Sequence, residues 1–263
     1  MRKFVIGDIH GGYLALKQVL EAVNFDYEND RLVALGDVTD GWPDVAECIE
    51  ELMKIKNLIY LKGNHDEWTE RFLEWSLEHG VKMSSPNSIW WHQGGKATVD
   101  SYKKHPDLVE KHLKFLGEAK LYYVDEDNRI FMHAGFDPRT PLDEQYELEV
   151  GQKMGENALF YWDRQFWGHM IRIKETGATK PGDKLWEQYN EIYIGHTPTI
   201  NYEDKGIPMN IGNVWNMDTG ATYDGRLTLM NIETKDVVQS APVYMLYPDH
   251  MGRNGEFLVK NNK

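Results

Sequence analysis

Short apolar runs recur along this chain, and each stops at a glycine or at a polar residue able to bind a cation. Arg2 to Ile6 reads as a buried strand that runs into Gly7-Asp8-Ile9-His10-Gly11-Gly12. Leu32 to Leu35 runs into Gly36-Asp37-Val38-Thr39-Asp40, and Asn57 to Leu61 into Lys62-Gly63-Asn64-His65-Asp66. Later, Arg129 to Met132 stops at His133-Ala134-Gly135, and Glu191 to Ile194 at Gly195-His196-Thr197-Pro198. Apolar runs of this length predict strands covered on both faces. Strands that end this way present a polar residue at the carboxyl edge of a sheet, where open α/β sheets place their ligands. Before Asp37, Gly36 lets the backbone turn sharply with no Cβ in the way.

The intervening stretches have helical period. Leu16, Val19, Leu20 and Val23 form one apolar stripe, and Val45, Cys48, Ile49 and Leu52 another, with Pro43 suited to the first turn. This βαβαβ rhythm implies right-handed crossovers and a largely parallel sheet. Trp68, Phe72 and Trp75 share a helical face, read as core or lid packing, and a further helix is predicted to open at Pro106 with Val109, Leu113 and Leu116 inward. Tyr122 to Asp125 and Arg129 to Met132 predict a hairpin around Glu126-Asp127-Asn128. Val214 to Met217 and Leu227 to Ile232 read as antiparallel strands around Asp218-Thr219-Gly220-Ala221. Residues 136–183, acidic at first and then aromatic from Phe160 to Trp167, are expected to form a cap inserted beside the site within a single domain spanning 1–263. The polar tail from His250 is expected to fray.

Composition narrows the function. The 263 residues suffice for one large α/β domain or two small ones, with a sizeable core. A formal net charge of −13 disfavours a nucleic-acid partner and means that any anion handled here needs a local positive site. Cys48 is the single cysteine, so no intrachain disulfide is available and a reducing compartment is expected. A first strand starting almost at Met1 and the lack of a long apolar run predict a cytoplasmic protein without signal peptide or membrane span.

Collected from the strand ends, Asp8, His10, Asp37, Asn64, His133 and His196 make a mixed nitrogen and oxygen set too large for one tetrahedral zinc. They suit two divalent cations that share a bridging carboxylate, with Asp8, His10 and Asp37 on one ion and Asp37, Asn64, His133 and His196 on the other. A hydroxide between the ions is the expected nucleophile. His65, beside Asn64, and Asp40, three residues after Asp37, then read as a general acid and its supporting carboxylate. The competing reading makes His65 a further ligand. His79, His92, His105, His112, His169 and His250 are read as structural.

The blocks GDIHGG, GDVTD, GNHD, HAG and GHT, in this order between Gly7 and Thr197, resemble those of the metallophosphoesterases of the phosphoprotein phosphatase family. Tyr161-Trp162-Asp163-Arg164, Trp215 to Ala221 and Gly225 to Leu229 resemble the bacterial and bacteriophage lambda-type serine/threonine protein phosphatases in that family. The resemblance implies an α/β fold, a calcineurin-like β-sandwich of mixed sheets flanked by helices. It also implies a dinuclear centre, with manganese the first expectation and iron or zinc the alternatives, and phosphomonoester hydrolysis without a phosphoenzyme. Asn64 and Arg164 are the implied phosphate-binding residues. Two departures stand out. The family's second block continues Arg-Gly after the second aspartate, whereas this chain has Gly41-Trp42, so one of two phosphate-binding arginines is missing. Arg139 is a possible substitute, with a surface role as its plainer reading. Asp66 replaces the glutamate of the eukaryotic enzymes and is more like the bacterial members.

The first functional expectation is therefore a serine/threonine protein phosphatase, dual specificity included, acting on a phosphorylated protein, a peptide or a small phosphoester. The second is a diadenosine tetraphosphatase-like hydrolase of dinucleoside polyphosphates, which would want a purine-sized aromatic pocket near Trp162, Phe166 and Trp167. The third is a metal-loaded binding module that has lost turnover. Neither nucleic acid nor membrane is an expected partner.

Overall fold

The computed structural model describes residues 1–82, 88–152, 158–177, 185–202 and 206–254. Two five-stranded sheets stack face to face with helices outside each. In the first sheet, β1 (Lys3–Ile6), β2 (Arg31–Ala34) and β3 (Asn57–Tyr60) run parallel, joined through α1 (Tyr13–Ala22) and α2 (Val45–Leu52). The second sheet begins with the predicted hairpin, β4 (Tyr122–Val124) and β5 (Arg129–Met132), and continues through β6 (Glu191–Ile194). Two short strands absent from the sequence reading, β7 (Met209–Ile211) and β10 (Val237–Gln239), form the far edges of the second and first sheets.

One expectation is corrected here. β8 (Val214–Asn216) and β9 (Thr228–Asn231) are not each other's partners. β8 lies parallel to β6 and antiparallel to β7, whereas β9 lies antiparallel to β1 and β10. The connection through Asp218 and Gly220 carries the chain from one sheet to the other, so the site lies between sheets at this point. Both strands are almost wholly buried, and an apolar run says that a strand is covered without saying which sheet it joins.

Alternation along each strand separates three layers of core. Phe4, Ile6, Leu32 and Ala34 face α1, α2 and α3 (Asn64–His79), while Val5, Val33 and Leu35 face the other sheet. On the second sheet, Phe131 and Tyr193 point inward and stack at 4.8 Å between ring centroids, and Ile130, Met132, Ile192 and Ile194 point outward. That outer face is covered by α7 (Leu159–Trp162) and α8 (Gln165–Thr176), preceded in the chain by α6 (Leu142–Gln152). The stretch expected as a cap thus supplies a helical layer in its described parts, with Phe160, Phe166 and Trp167 buried in it; residues 153–157 and 178–183 lie outside the described residues. So does the tail from residue 255. The helix expected at Pro106 starts as a single 3-10 turn and becomes α5 (Val109–Gly117), preceded by α4 (Lys96–Lys104). No helix among the described residues is long and apolar enough to cross a membrane.

Candidate active site

The residues that follow β1, β2, β3, β5 and β6 meet at one edge of the sandwich. Four of them hold left-handed backbone that side chains seldom adopt: His10 (φ 49°), Asp37 (48°), Asp40 (67°) and His196 (66°). Such conformations cost energy and persist only where neighbours over-determine them. Here the loops are stitched to one another. The N–H groups of Ile9 and His10 both donate to the Asp37 carbonyl, at 3.0 and 2.9 Å, and the His65 N–H donates to Asp37 Oδ1 at 2.9 Å. The His196 N–H donates to Asp8 Oδ2 at 3.2 Å. Asp66, fully buried, accepts from the Val38 N–H (2.9 Å), the Thr39 N–H (3.2 Å) and the Gly63 N–H (3.0 Å), so one carboxylate ties the Asp37 loop to the Asn64 loop.

The donor set fits divalent cations. His10 Nδ1 lies 3.1 Å from the Thr39 carbonyl and His133 Nδ1 2.8 Å from the Leu35 carbonyl. A carbonyl only accepts, so each Nδ1 carries a proton and, in the neutral ring, Nε2 presents the lone pair. Those lone pairs face more acceptors: His10 Nε2 is 3.6 Å from Asp37 Oδ2, and His133 Nε2 is 3.4 Å from Asp37 Oδ2 and 3.3 Å from Asn64 Oδ1. His196 Nε2 is buried without a hydrogen-bond partner. Candidate ligand atoms of Asp37, His133 and His196 lie within 4.8 Å of one another, as do those of His10, Asp37 and His65. Acceptors packed against acceptors call for positive charge. In the chain alone, burial pushes the His133 imidazole down, yet Asp37 overrides it and lifts the pKa to about 9. Burial holds His10 and His196 well below the usual imidazole value, leaving both neutral, the form that ligates metal.

His65 and Asp40 form a buried pair, with Nδ1 2.7 Å from Asp40 Oδ2. Asp40 also accepts from Trp90 Nε1 at 2.7 Å and from Thr98 Oγ1 at 2.5 Å, so its carboxylate is held by three donors. Burial raises the Asp40 carboxyl to about 8 against the pull of Thr98 and Trp90, and burial lowers His65 to about 3. The Trp68 ring meets the His65 ring edge-on at 5.0 Å and fixes its plane. Neither Trp90 nor Thr98 was singled out from sequence; they arrive from distant helical segments and no local pattern ties them to Asp40.

A cleft of about 470 Å³ opens over this floor, lined by Asp8, His10, Asp37, Asn64, His65 and His196 and rimmed by Arg164, Pro198, Ile200, Tyr223 and Arg253. Arg164 Nη1 donates to the His196 carbonyl at 3.2 Å and to Thr197 Oγ1 at 3.3 Å, which sets the guanidinium beside a candidate ligand. Arg139 is exposed and pairs with Asp137 of its own loop at 2.8 Å, which corrects it as a substitute for the missing arginine. Asp218, which follows β8 as the other polar residues follow their strands, lines the cleft and is raised to about 6 by burial. The sequence reading placed it in a family block without a role. Trp162 reaches the site, 6.5 Å from the His196 ring, whereas Phe166 and Trp167 turn into the core. Of the histidines read as structural, His112 is buried between Tyr102 (2.9 Å) and Glu50 (2.7 Å), and His105 pairs with Glu47 at 3.0 Å.

Residues 1–220 match the calcineurin-like phosphoesterase family. The chain is 25% identical over 236 residues to serine/threonine-protein phosphatase 1 of Salmonella typhimurium, covering 88% of this chain and 91% of that one. It is 24% identical over 284 residues to the symmetrical bis(5'-nucleosyl)-tetraphosphatase of Neisseria meningitidis, covering 91% and 95%. Among solved structures, the cold-active protein-tyrosine phosphatase of a psychrophilic Shewanella superposes with a TM-score of 0.58 at 15% identity, over 91% of this chain and 80% of that one. With most of its length matched, this chain belongs to the calcineurin-like phosphoesterase family and is a hydrolase of phosphate esters.

Proposed function

We propose that this calcineurin-like phosphoesterase removes phosphate from protein side chains, phosphoserine and phosphothreonine first. The observation that carries the reading is the buried His65–Asp40 pair, 2.7 Å apart, set against the ligand cluster on the floor of the cleft. Two divalent cations held by Asp8, His10 and Asp37 on one side and Asp37, Asn64, His133 and His196 on the other, manganese first, would supply Lewis acidity and activate water. The chain's own residues do the rest. Arg164 and Asn64 hold the phosphate, the arginine through a fork that suits a tetrahedral oxyanion. His65 gives a proton from Nε2 to the leaving ester oxygen, and Asp40 keeps the opposite nitrogen bound so that the ring cannot turn away. Burial, reinforced by the positive charges of Arg253, His133 and Arg164, keeps His65 neutral against the pull of Asp37, so the negative charge of the bound phosphate is what makes its imidazolium accessible.

The rim favours a peptide over a dinucleotide. Phe166 and Trp167 are core residues, so of the three aromatics expected to wall a base pocket, Trp162 alone stands at the site. The rim residue Tyr223 has its face covered by Arg253, at 5.3 Å from the ring centroid. The second reading, hydrolysis of dinucleoside polyphosphates, is supported by the relatives named for that activity, which match this chain nearly end to end at similar identity. The test runs the manganese-loaded protein on a phosphoserine peptide and on diadenosine tetraphosphate side by side, with His65→Ala as control. Preferred turnover of the peptide supports the first reading. Preference for the dinucleotide replaces it with the second.

A further inference from the structure

The position after Asp40, where the family carries a phosphate-binding arginine, is strained and crowded for any side chain in this fold. Gly41 has φ 85°, and a Cβ there would meet Thr222 Oγ1 at 2.9 Å and His10 Cβ at 3.2 Å. Its N–H donates to the Gly94 carbonyl at 3.1 Å, so the 91–95 segment lies directly on it. Across Gly94 runs the stem of Arg253, whose Cγ would be 3.3 Å from a Cβ built there. A guanidinium from the far end of the chain therefore enters the cleft beside the place where the local one is missing.

The next departure, Trp42, builds the seat. It is fully buried, donates from Nε1 to the Ala221 carbonyl at 2.8 Å and stacks on Tyr247 at 5.4 Å. Gly252, immediately before Arg253, packs so closely on this indole that a Cβ would lie 2.7 Å from Trp42 Cζ2. The Arg253 N–H donates to the Thr222 carbonyl at 3.3 Å. Thus Gly41 and Trp42, the two residues that break the family pattern, are also those that shape the dock for the C-terminal turn.

The guanidinium is positioned and unspent. Nη1 donates to His65 Nε2 at 3.2 Å, Nη2 donates to Gln93 Oε1 at 2.7 Å, and the group lies over the Tyr223 ring. Among the described residues none of these partners is a carboxylate, so the positive charge is not consumed by an ion pair. The lining of the cleft includes four carboxylates, Asp8, Asp37, Asp218 and Asp224, and two cations, Arg164 and Arg253. A phosphate dianion entering such a cleft is drawn to the two guanidiniums on its rim.

We infer that Arg253, delivered by the C-terminal turn, is the second phosphate-binding residue of this cleft, seated there by the Gly41-Trp42 pair that takes the place of the family arginine. The inference rests on the phosphoester hydrolase reading above. On phosphate binding, one N–H turns from His65 Nε2 to a phosphate oxygen, which frees the Nε2 lone pair to take a proton from solvent and pass it to the leaving ester oxygen.

The test is calorimetric titration of the manganese-loaded, full-length protein with inorganic phosphate, with KM and kcat for para-nitrophenyl phosphate measured on the same samples. Arg253→Ala should raise the phosphate Kd and the KM by about ten- to a hundredfold, the loss of one charge-assisted fork, with a smaller fall in kcat. Arg253→Lys should recover part of the affinity because charge returns without the fork. Arg139→Ala, on the outer surface, should change nothing. Unaltered phosphate affinity in Arg253→Ala overturns the inference and leaves the hydrolase reading intact. So does a loss that follows a fall in melting temperature or manganese content and is not recovered by lysine. Wild-type protein that holds manganese yet neither binds phosphate nor turns over ester overturns the hydrolase reading and this inference with it.

Discussion

The floor of the cleft and its rim carry charges of opposite sign and reach their places by different routes. On the floor, Asp8, Asp37, Asn64, His133 and His196 each lie within four residues of the last residue of a strand, β1, β2, β3, β5 and β6 in turn. Sheet hydrogen bonding fixes those strand ends, and the loops beyond are cross-tied through the Asp37 and Asp66 carboxylates. On the rim, Arg164 sits at the bend between α7 and α8, and Arg253 in a single turn near the C-terminus. Neither follows a strand. A ligand on a short stem must be placed by its own backbone, whereas a guanidinium on a long stem can be delivered from any segment that packs nearby. Floor positions are thus narrowly determined, and a rim charge can change its source between relatives.

The sharpest way to break this contrast is Asp37→Ala, which removes the carboxylate shared by both proposed ions. Turnover should fall about a thousandfold or more, a loss on the scale of a principal transition-state contact, with metal content by elemental analysis falling alongside. Full metal content and turnover would mean that the floor is not the reacting centre. Next in size is His65→Ala, expected to lose about a hundred- to ten-thousandfold on an alkyl phosphate and far less on para-nitrophenyl phosphate, whose leaving group needs no proton. Equal losses on both substrates would remove His65 from the general-acid role.

Rim changes should be smaller and should spare the metal. Arg164→Ala is expected to raise KM about ten- to a hundredfold at unchanged manganese stoichiometry; a loss of manganese would place Arg164 in the floor's architecture, through its bonds to His196 and Thr197. The smallest effect is expected from Trp42→Phe. It deletes the hydrogen bond to the Ala221 carbonyl, costs about 1 kcal/mol of stability and weakens phosphate binding a few-fold by loosening the dock under Gly252. A melting curve and a phosphate titration read the two parts separately. An unchanged phosphate Kd would separate the dock from the cation that it carries.

Sheet order shows how far local pattern reaches. The continuous apolar runs of β1, β2, β5 and β6 are legible because each strand must satisfy two cores at once, Val5 and Phe131 between the sheets, Phe4 and Ile130 against helices. The apolar runs of β8 and β9 say nothing of partners, and the two strands join different sheets. Aromatic residues divide similarly. Trp68, Phe72 and Trp75 announced a helix by their spacing, but that the Trp90 indole would hold Asp40 depended on a contact across 50 residues.

By itself the sequence determined most of the strands, the helical stripes between them and the polar residues that follow the strands of the site, because all three are properties of a few consecutive residues and the periods of the backbone. It also determined that a familiar arginine is absent after Asp40. What stands in the cleft instead was decided only by tertiary structure. Arg253 meets His65 across 188 residues of chain, and its seat is a surface assembled from Trp42, Gly94 and Thr222. No periodicity links those segments; they are brought together by burial of the indole and by close backbone packing, which exist only once the chain has folded.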